Sequence, residues 1–286
     1  MPSLDAALVV VGAIALFAAF VNGAIGYGFS SLTVPVGLVF FANRVLNPAL
    51  VLIEVFINLY VLIINRAAVR AVWKRVWPII VGLLPGVALG SYLLAVLHPD
   101  WLKLGTYGLI LPLILLQAAG VRRPIGAERV VGVPFGAGLG LLYSVTTISG
   151  PPLALLFNNQ GLVKREFRAG LALIRVAESC LTAFAYYQLG LFTAEALHVG
   201  EWIVPSVLVG IPLGAFAIRK LDAETFRRVC MSFDVWVVGF GLSRTLIALK
   251  LATSPLAYSA MFAAVLLDAF LLIAFFRSRR AALAMA

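Results

Sequence analysis

Charge is what this chain of 286 residues has least of: 12% of its residues are Asp, Glu, Lys or Arg, against 63% hydrophobic. A soluble domain keeps about a quarter of its residues charged, so a water-soluble enzyme or binding module is excluded. Cysteine is nearly absent as well. Cys180 and Cys230 both fall in apolar runs, which leaves no disulfide framework and no CxxC or Cys/His metal pattern. The two histidines, His98 and His198, sit in or beside separate loops with no partner at ligand spacing. Neither a metal nor a redox cofactor is therefore expected. The opening MPSLDAALVV lacks the positive n-region of a signal peptide and reads as mature protein. Without a linker or low-complexity tract, one transmembrane domain over 1–286 is expected.

What the chain does have is apolar runs, near 6–21, 46–64, 77–97, 101–117, 130–147, 170–189, 200–218, 229–249 and 255–276. Most approach the roughly 20 residues that a helix needs to cross a bilayer, which predicts an all-α integral membrane protein. The net charge of +10 does not point to nucleic acid, because the basic residues fall in short loops, where they report orientation. They cluster at Arg66, Arg70, Lys74 and Arg75; at Arg122, Arg123 and Arg129; at Lys164, Arg165 and Arg168; at Arg219, Lys220, Arg227 and Arg228; and at Arg277, Arg279 and Arg280. If every run crossed the membrane, these clusters would divide between both faces. If instead 130–158 enters, turns at SGPP (149–152) and leaves on the same side, all of them become cytoplasmic, and only Arg44, Lys103 and Lys250 remain outside. The second arm, PLALLFNN, is too short to cross alone. The expectation is a re-entrant hairpin in a multi-pass protein of the cell inner membrane, with a cytoplasmic C-terminus.

The stretch GAIGYGFSSLTVPVGLVFFAN, 23–43, follows the same plan as GAGLGLLYSVTTISGPPLALLFNN, 136–159: a Gly-rich start, a hydroxyl cluster, a proline and a terminal Asn. Each break precedes three apolar runs, and a last run closes the chain. This predicts two inverted-topology repeats, 4–117 and 129–251, each a re-entrant or broken hairpin followed by three transmembrane helices, with a C-terminal transmembrane helix over 254–276. Interrupted hydrophobic segments at matching positions point to a secondary transporter with its substrate near the midplane. A short helix that starts in mid-membrane leaves its first N–H groups unpaired and carries partial positive charge there, which favours an anion. Asn22, Gly26, Gly28, Ser30, Ser31 and Thr33 at the first break, and Thr146, Thr147, Ser149 and Gly150 at the second, are the candidate substrate contacts. Hydroxyls there add donors, glycines let the backbone approach, and Pro35 and Pro152 are expected to start helices. The bland alternative is that the glycines pack spans tightly and the hydroxyls satisfy carbonyls.

Glu54, Arg175, Glu178, Asp234, Arg244 and Asp268 lie inside apolar runs, where a charge is costly and by default marks function. Glu54 and Glu178 lie in matching runs after the two breaks, and Arg175 sits one turn before Glu178 on the same face. Arg175 is the candidate cation, because a guanidinium stays charged and grips an oxyanion with parallel donors. Glu54 and Glu178 are candidates for carrying a coupling proton, or for an ion pair that only holds helices together. Asp234, Arg244 and Asp268, in the last two runs, read as structural, with Arg244 near enough to its span end to snorkel.

The two tips, GAIGYGFSSLTVP and SGPPLALLF, together with the basic GLVKREFRAGLA after the second, resemble the sulfite and organosulfonate exporter family, the TauE/SafE-like permeases. The resemblance covers most of the chain and implies a permease for sulfite, a sulfonate or a related small sulfur anion, working as an exporter. The first tip departs from the family's run of adjacent glycines, with Gly26, Tyr27, Gly28 and Phe29 in its place. The rival readings are a permease for a carboxylate or other small organic anion, an anion channel, and an intramembrane enzyme. The last lacks support, since no run carries a His or Lys at useful spacing from a Ser, Asp or Glu.

Overall fold

The computed structural model describes residues 4–120, 128–159, 164–217 and 223–284. The loop charges Arg122, Arg123, Arg219 and Lys220 lie outside the described residues, as do the side chains of Arg129, Lys164, Arg227 and Arg280. The chain is helical throughout, with no strand among the described residues. In order it forms α1 (Leu4–Ile25), α2 (Phe29–Phe40), α3 (Asn43–Asn65), a 3-10 turn (Arg66–Ala68), α4 (Val69–Val96), α5 (Pro99–Ala118), α6 (Glu128–Thr146), α7 (Gly150–Asn159), α8 (Lys164–Gln188), α9 (Ala194–Ala217), α10 (Ala223–Ala248) and α11 (Ser254–Ala284). Among the described residues, seven stretches are long and apolar enough to cross a membrane, with α3 and α4 joined in one of them, Asn43–Val96. The protein is a multi-pass membrane protein.

The two short helices fall where the sequence breaks. With 12 residues in α2 and 10 in α7, neither approaches the length of a span. Gly26 and Gly28 hold φ of 97° and 109°, a left-handed backbone open to glycine that ends α1 and starts α2. At the second break the same region is taken by Thr147, at φ 56°. A β-branched residue is strained there, and its hydroxyl donates to the Thr146 carbonyl at 2.7 Å. Pro35 does not start its helix: α2 begins at Phe29, and Pro35 lies inside it. Pro152 is the third residue of α7, within the first turn, where a missing N–H costs nothing.

Long-range packing pairs α1 with α9, α4 with α6, α3 with α8 and α5 with α10. Counting α1–α5 and α6–α10 as two sets of five, first meets fourth in both directions, third meets third, and fifth meets fifth. The first of these contacts is made by glycines. A Cβ at Gly82 or Gly86 of α4 would fall on the carbonyls of Val133 or Ala137 of α6, and one at Gly136 of α6 on that of Ile79. Likewise Gly214 of α9 faces the carbonyl of Phe20, and Gly23 of α1 that of Ile211. Lipid offers no hydrophobic drive between helices, so backbones that touch through small residues gain dispersion that larger side chains would forbid. By contrast α11 packs mainly on α10 and leaves Phe262 and Phe270 on the outside.

One basic residue departs from the loop assignment. Arg228 is buried within α10, where its Nη2 meets Asp268 of α11 at 2.8 Å and its Nη1 donates to Ser232 at 3.0 Å. The pair ties α10 to α11. Arg244, one turn before the end of α10, has an exposed side chain.

The glycine seams give a direct expectation. Gly86→Val or Gly214→Val overpacks a backbone contact and lowers stability by about 1–3 kcal/mol or prevents assembly. Gly105→Ala, with nothing within 4 Å of the added methyl, leaves it unchanged. Thermal unfolding of the purified variants, together with their gel-filtration profiles, checks both.

Candidate functional site

The polar interior is organised by two carboxylates, one on each matching helix. Glu54 of α3 is fully buried. Its Oε1 accepts from Ser30 Oγ of α2 at 2.6 Å and pairs with Arg175 Nη2 of α8 at 2.7 Å, and its Oε2 accepts from Tyr143 of α6 at 2.7 Å. Three donors from three helices therefore converge on one carboxylate. Glu178 of α8, equally buried, accepts from Ser149 Oγ at the second break at 2.6 Å, while its Oε1 has no partner. Each break thus presents one serine to the carboxylate of the third helix of its own set.

Arg175 breaks this correspondence. Aligning Glu54 with Glu178 sets Val51 of α3 opposite Arg175 and Arg44 opposite Arg168, so the site has two carboxylates and one arginine. The guanidinium is 4% exposed and committed through Nη2 to Glu54, but its Nε has no partner. An unpaired guanidinium nitrogen and an unpaired carboxylate oxygen on the same helix mark an incompletely satisfied site, and such groups in a membrane interior call for a functional account.

The other predicted residues divide. Ser31 donates to the Gly28 carbonyl at 3.1 Å, and Thr146 to the Leu142 carbonyl at 2.7 Å, so with Thr147 these hydroxyls serve the local backbone. Thr33 Oγ1 and Asn22 Oδ1 are buried without a partner. Gly26 lies beside Arg168, whose Nη2 donates to the Ala24 carbonyl at 3.5 Å and covers the open end of α1. The breaks touch each other at Gly150, where a Cβ would come within 3.1 Å of the Tyr27 ring. Their supply of backbone donors is unequal. Pro151 and Pro152 remove two of the first three N–H groups of α7, whereas α2 starts with Phe29, Ser30 and Ser31.

Sequence reasoning missed Tyr143, Asn43, Asn47 and Asn58. Asn47 Nδ2 donates to the Val145 carbonyl at 2.5 Å, Asn43 Nδ2 to Thr106 at 3.2 Å, and Asn58 Nδ2 to the Arg175 carbonyl at 3.5 Å. Asn43, which also reaches the Val145 carbonyl at 3.4 Å, Asn47 and the Tyr186 hydroxyl on the Ser144 carbonyl satisfy the end of α6, whose last carbonyls have no helical partner, whereas Asn58 braces α8. The signal was available: Asn43, Asn47, Glu54 and Asn58 fall four, seven and four residues apart, one polar stripe along an apolar helix.

A roomier space lies away from these groups. A groove of about 600 Å³ between α3 and α9, lined by Leu52, Phe56, Val204 and Leu208, is almost wholly apolar and cannot recognise an anion. A much smaller space of about 20 Å³ lies against the first break, between Gly28, Ser31, Gln117, Pro151, Cys230 and Asp234.

Broken helices enclosing buried, partly paired charges within a bundle of membrane-crossing helices are the kind of arrangement that membrane transporters use. The sulfite exporter TauE/SafE family model matches residues 11–242, and the chain belongs to that family. A probable sulfite/organosulfonate exporter TauE from Cupriavidus necator is 30% identical over 185 residues, which is 62% of this chain and 70% of that protein. No solved structure matches.

The geometry predicts how the charges depend on each other. Glu54→Leu strands Arg175 and lowers stability by about 3–5 kcal/mol, and Glu54→Leu combined with Arg175→Met recovers most of that loss. Denaturant or thermal unfolding of the two singles and the double variant measures the coupling.

Proposed function

We propose that the protein is an inner-membrane permease that moves a small sulfur oxyanion, sulfite or a sulfonate, outward across the membrane. The observation that carries the reading is the cradle around Glu54: Ser30, Tyr143 and Arg175 hold one oxyanion with three donors at 2.6–2.7 Å. A sulfonate or sulfite presents oxygens of the same charge and hydrogen-bonding character as a carboxylate. Glu54 occupies the cradle in place of substrate, and the arriving anion takes Arg175 when Glu54 gives it up. Arg175 grips the anion through Nη2 and the unpaired Nε, and Ser149 and Ser30 close on it from the two breaks.

Charge arithmetic links transport to protons. With Glu54 and Glu178 ionised, one arginine faces two negative groups, and a substrate anion adds another. Burying that excess is prohibitive without a counter-charge, so a proton on Glu54 or Glu178 accompanies the anion.

The inverted-repeat reading, 4–117 against 129–251 with 254–276 outside it, gains support from the packing. Exchange of α1–α5 with α6–α10 leaves the main helix pairings unchanged. The first break touches Arg168 near the start of α8, and the second touches Asn43 and Asn47 near the start of α3. The starts of α3 and α8 lie at opposite ends of their contact, since Val145 and Ser144 adjoin early α3 through Asn47 and late α8 through Tyr186. Two breaks approached from opposite ends suit alternating access by one bundle moving against the other. The basic clusters remain cytoplasmic in this scheme, together with the C-terminus.

A thermal-shift panel of sulfite, thiosulfate, sulfoacetate, taurine, sulfate, acetate and lactate tests the substrate class, because a ligand that prefers the folded state raises its melting point. Sulfur anions are expected to give a selective shift, weakened about tenfold or more in apparent affinity by Arg175→Ala and reduced by Ser149→Ala. A shift from carboxylates alone transfers the assignment to a carboxylate permease. In proteoliposomes, flux is expected to follow an imposed proton gradient; gradient-independent flux identifies an anion channel.

A further inference from the structure

Asp234 of α10 was expected to be structural, yet it has none of the partners a structural carboxylate needs. It is 5% exposed, and its Oδ1 is buried with no hydrogen bond. It lines the space of about 20 Å³ against the first break, with Val21 and Ile25 of α1, Gly28, Ser31 and Leu32, Ile114 and Gln117 of α5, and Pro151. The polar neighbours are directed elsewhere: Ser31 donates to the Gly28 carbonyl, and Gln117 Nε2 to the Tyr27 hydroxyl oxygen at 3.1 Å.

Among the described residues, no ion pair or hydrogen bond joins Asp234 to a cation. The ionisable residue of α1 is Asp5, at its far end, and α2 has none. On α5, Asp100 and Lys103 lie at the opposite end from Gln117, and Tyr107 donates to the Pro35 carbonyl. On α11, Asp268 is taken by Arg228. The titratable neighbours across the space are the Tyr27 phenol and the Cys230 thiol.

We propose that Asp234 is a proton-binding site whose charge controls the docking of the first break on α10. A space this small holds about one water molecule, too little for the oxygen shell of a metal ion, so a proton is the fitting ligand. Docked, the break seals Asp234 among Val21, Ile25, Leu32 and Ile114 with an oxygen unsatisfied, an arrangement open to the neutral acid and strongly unfavourable to the carboxylate. Loss of the proton therefore drives the break off α10 and admits water, and proton uptake lets it return. The site is separate from the Glu54 cradle and stands whichever anion that cradle takes.

Cys230 reports on it, being 6% exposed, one turn from Asp234 and on the same space. In the full-length Cys180→Ser protein in detergent, N-ethylmaleimide reaction at Cys230 is followed from acid to alkaline pH, relative to the same chain in denaturant, which removes the intrinsic ionisation of the thiol. The expected ratio rises about tenfold per pH unit above the point where Asp234 loses its proton. In Asp234→Asn it stays flat and low. A flat ratio in the Cys180→Ser protein overturns the proposal without need of the variant, and so does an equal rise in Asp234→Asn. Failure here leaves the anion panel untouched, and failure of that panel leaves this result standing.

Discussion

A charge buried in a membrane protein must be answered by another group, and in this chain one carboxylate answers for much of the interior. Glu54 draws Ser30, Tyr143 and Arg175 to itself, tying α2, α6 and α8 to α3 through bonds that no water could supply at that depth. Around it the bundle is held by means that need no polar group: glycine seams between α4 and α6 and between α1 and α9, where backbone lies on backbone.

Much of this architecture was legible in the sequence. The scarcity of charge and the apolar runs define a membrane protein, and Gly26, Gly28 and Ser149-Gly150-Pro151-Pro152 mark both broken helices to within a few residues. Glu54, Arg175 and Glu178 stand out because charge is rare there. The partnership between Glu54 and Arg175 was not legible, because α3 and α8 meet across more than a hundred residues and no local spacing encodes that contact. Two readings fell to geometry. Arg228 looks like a loop charge until α10 is seen to begin before it and to turn it towards Asp268. Pro35 looks like a helix start, but the helix begins at Phe29, where the left-handed Gly28 releases the chain. The hydroxyls of Ser31, Thr146 and Thr147 illustrate a general ambiguity: a hydroxyl near a chain break serves ligand and backbone with the same chemistry, and here the backbone takes it.

The relation between the two halves is most informative where it fails. Packing and carboxylates repeat, while the arginine does not: Val51 stands where the second half has Arg175. A site with equal cations would hold its anion against both carboxylates at once. With a single cation, an anion and Glu54 compete for one guanidinium, and on the proposed reading that competition is the step that makes substrate and proton travel together.

The two breaks differ in stiffness as well as in sequence. Gly26 and Gly28 bracket Tyr27 with the freest backbone available, whereas Pro151 and Pro152 follow Gly150 with the most restricted. The two meet at Tyr27 and Gly150. On the proposed reading, deformation concentrates in the freer of the two, and the other is the anvil against which it is set. On that reading, a frame whose helix packing is balanced carries one moving part and one fixed part, and its stroke is lopsided.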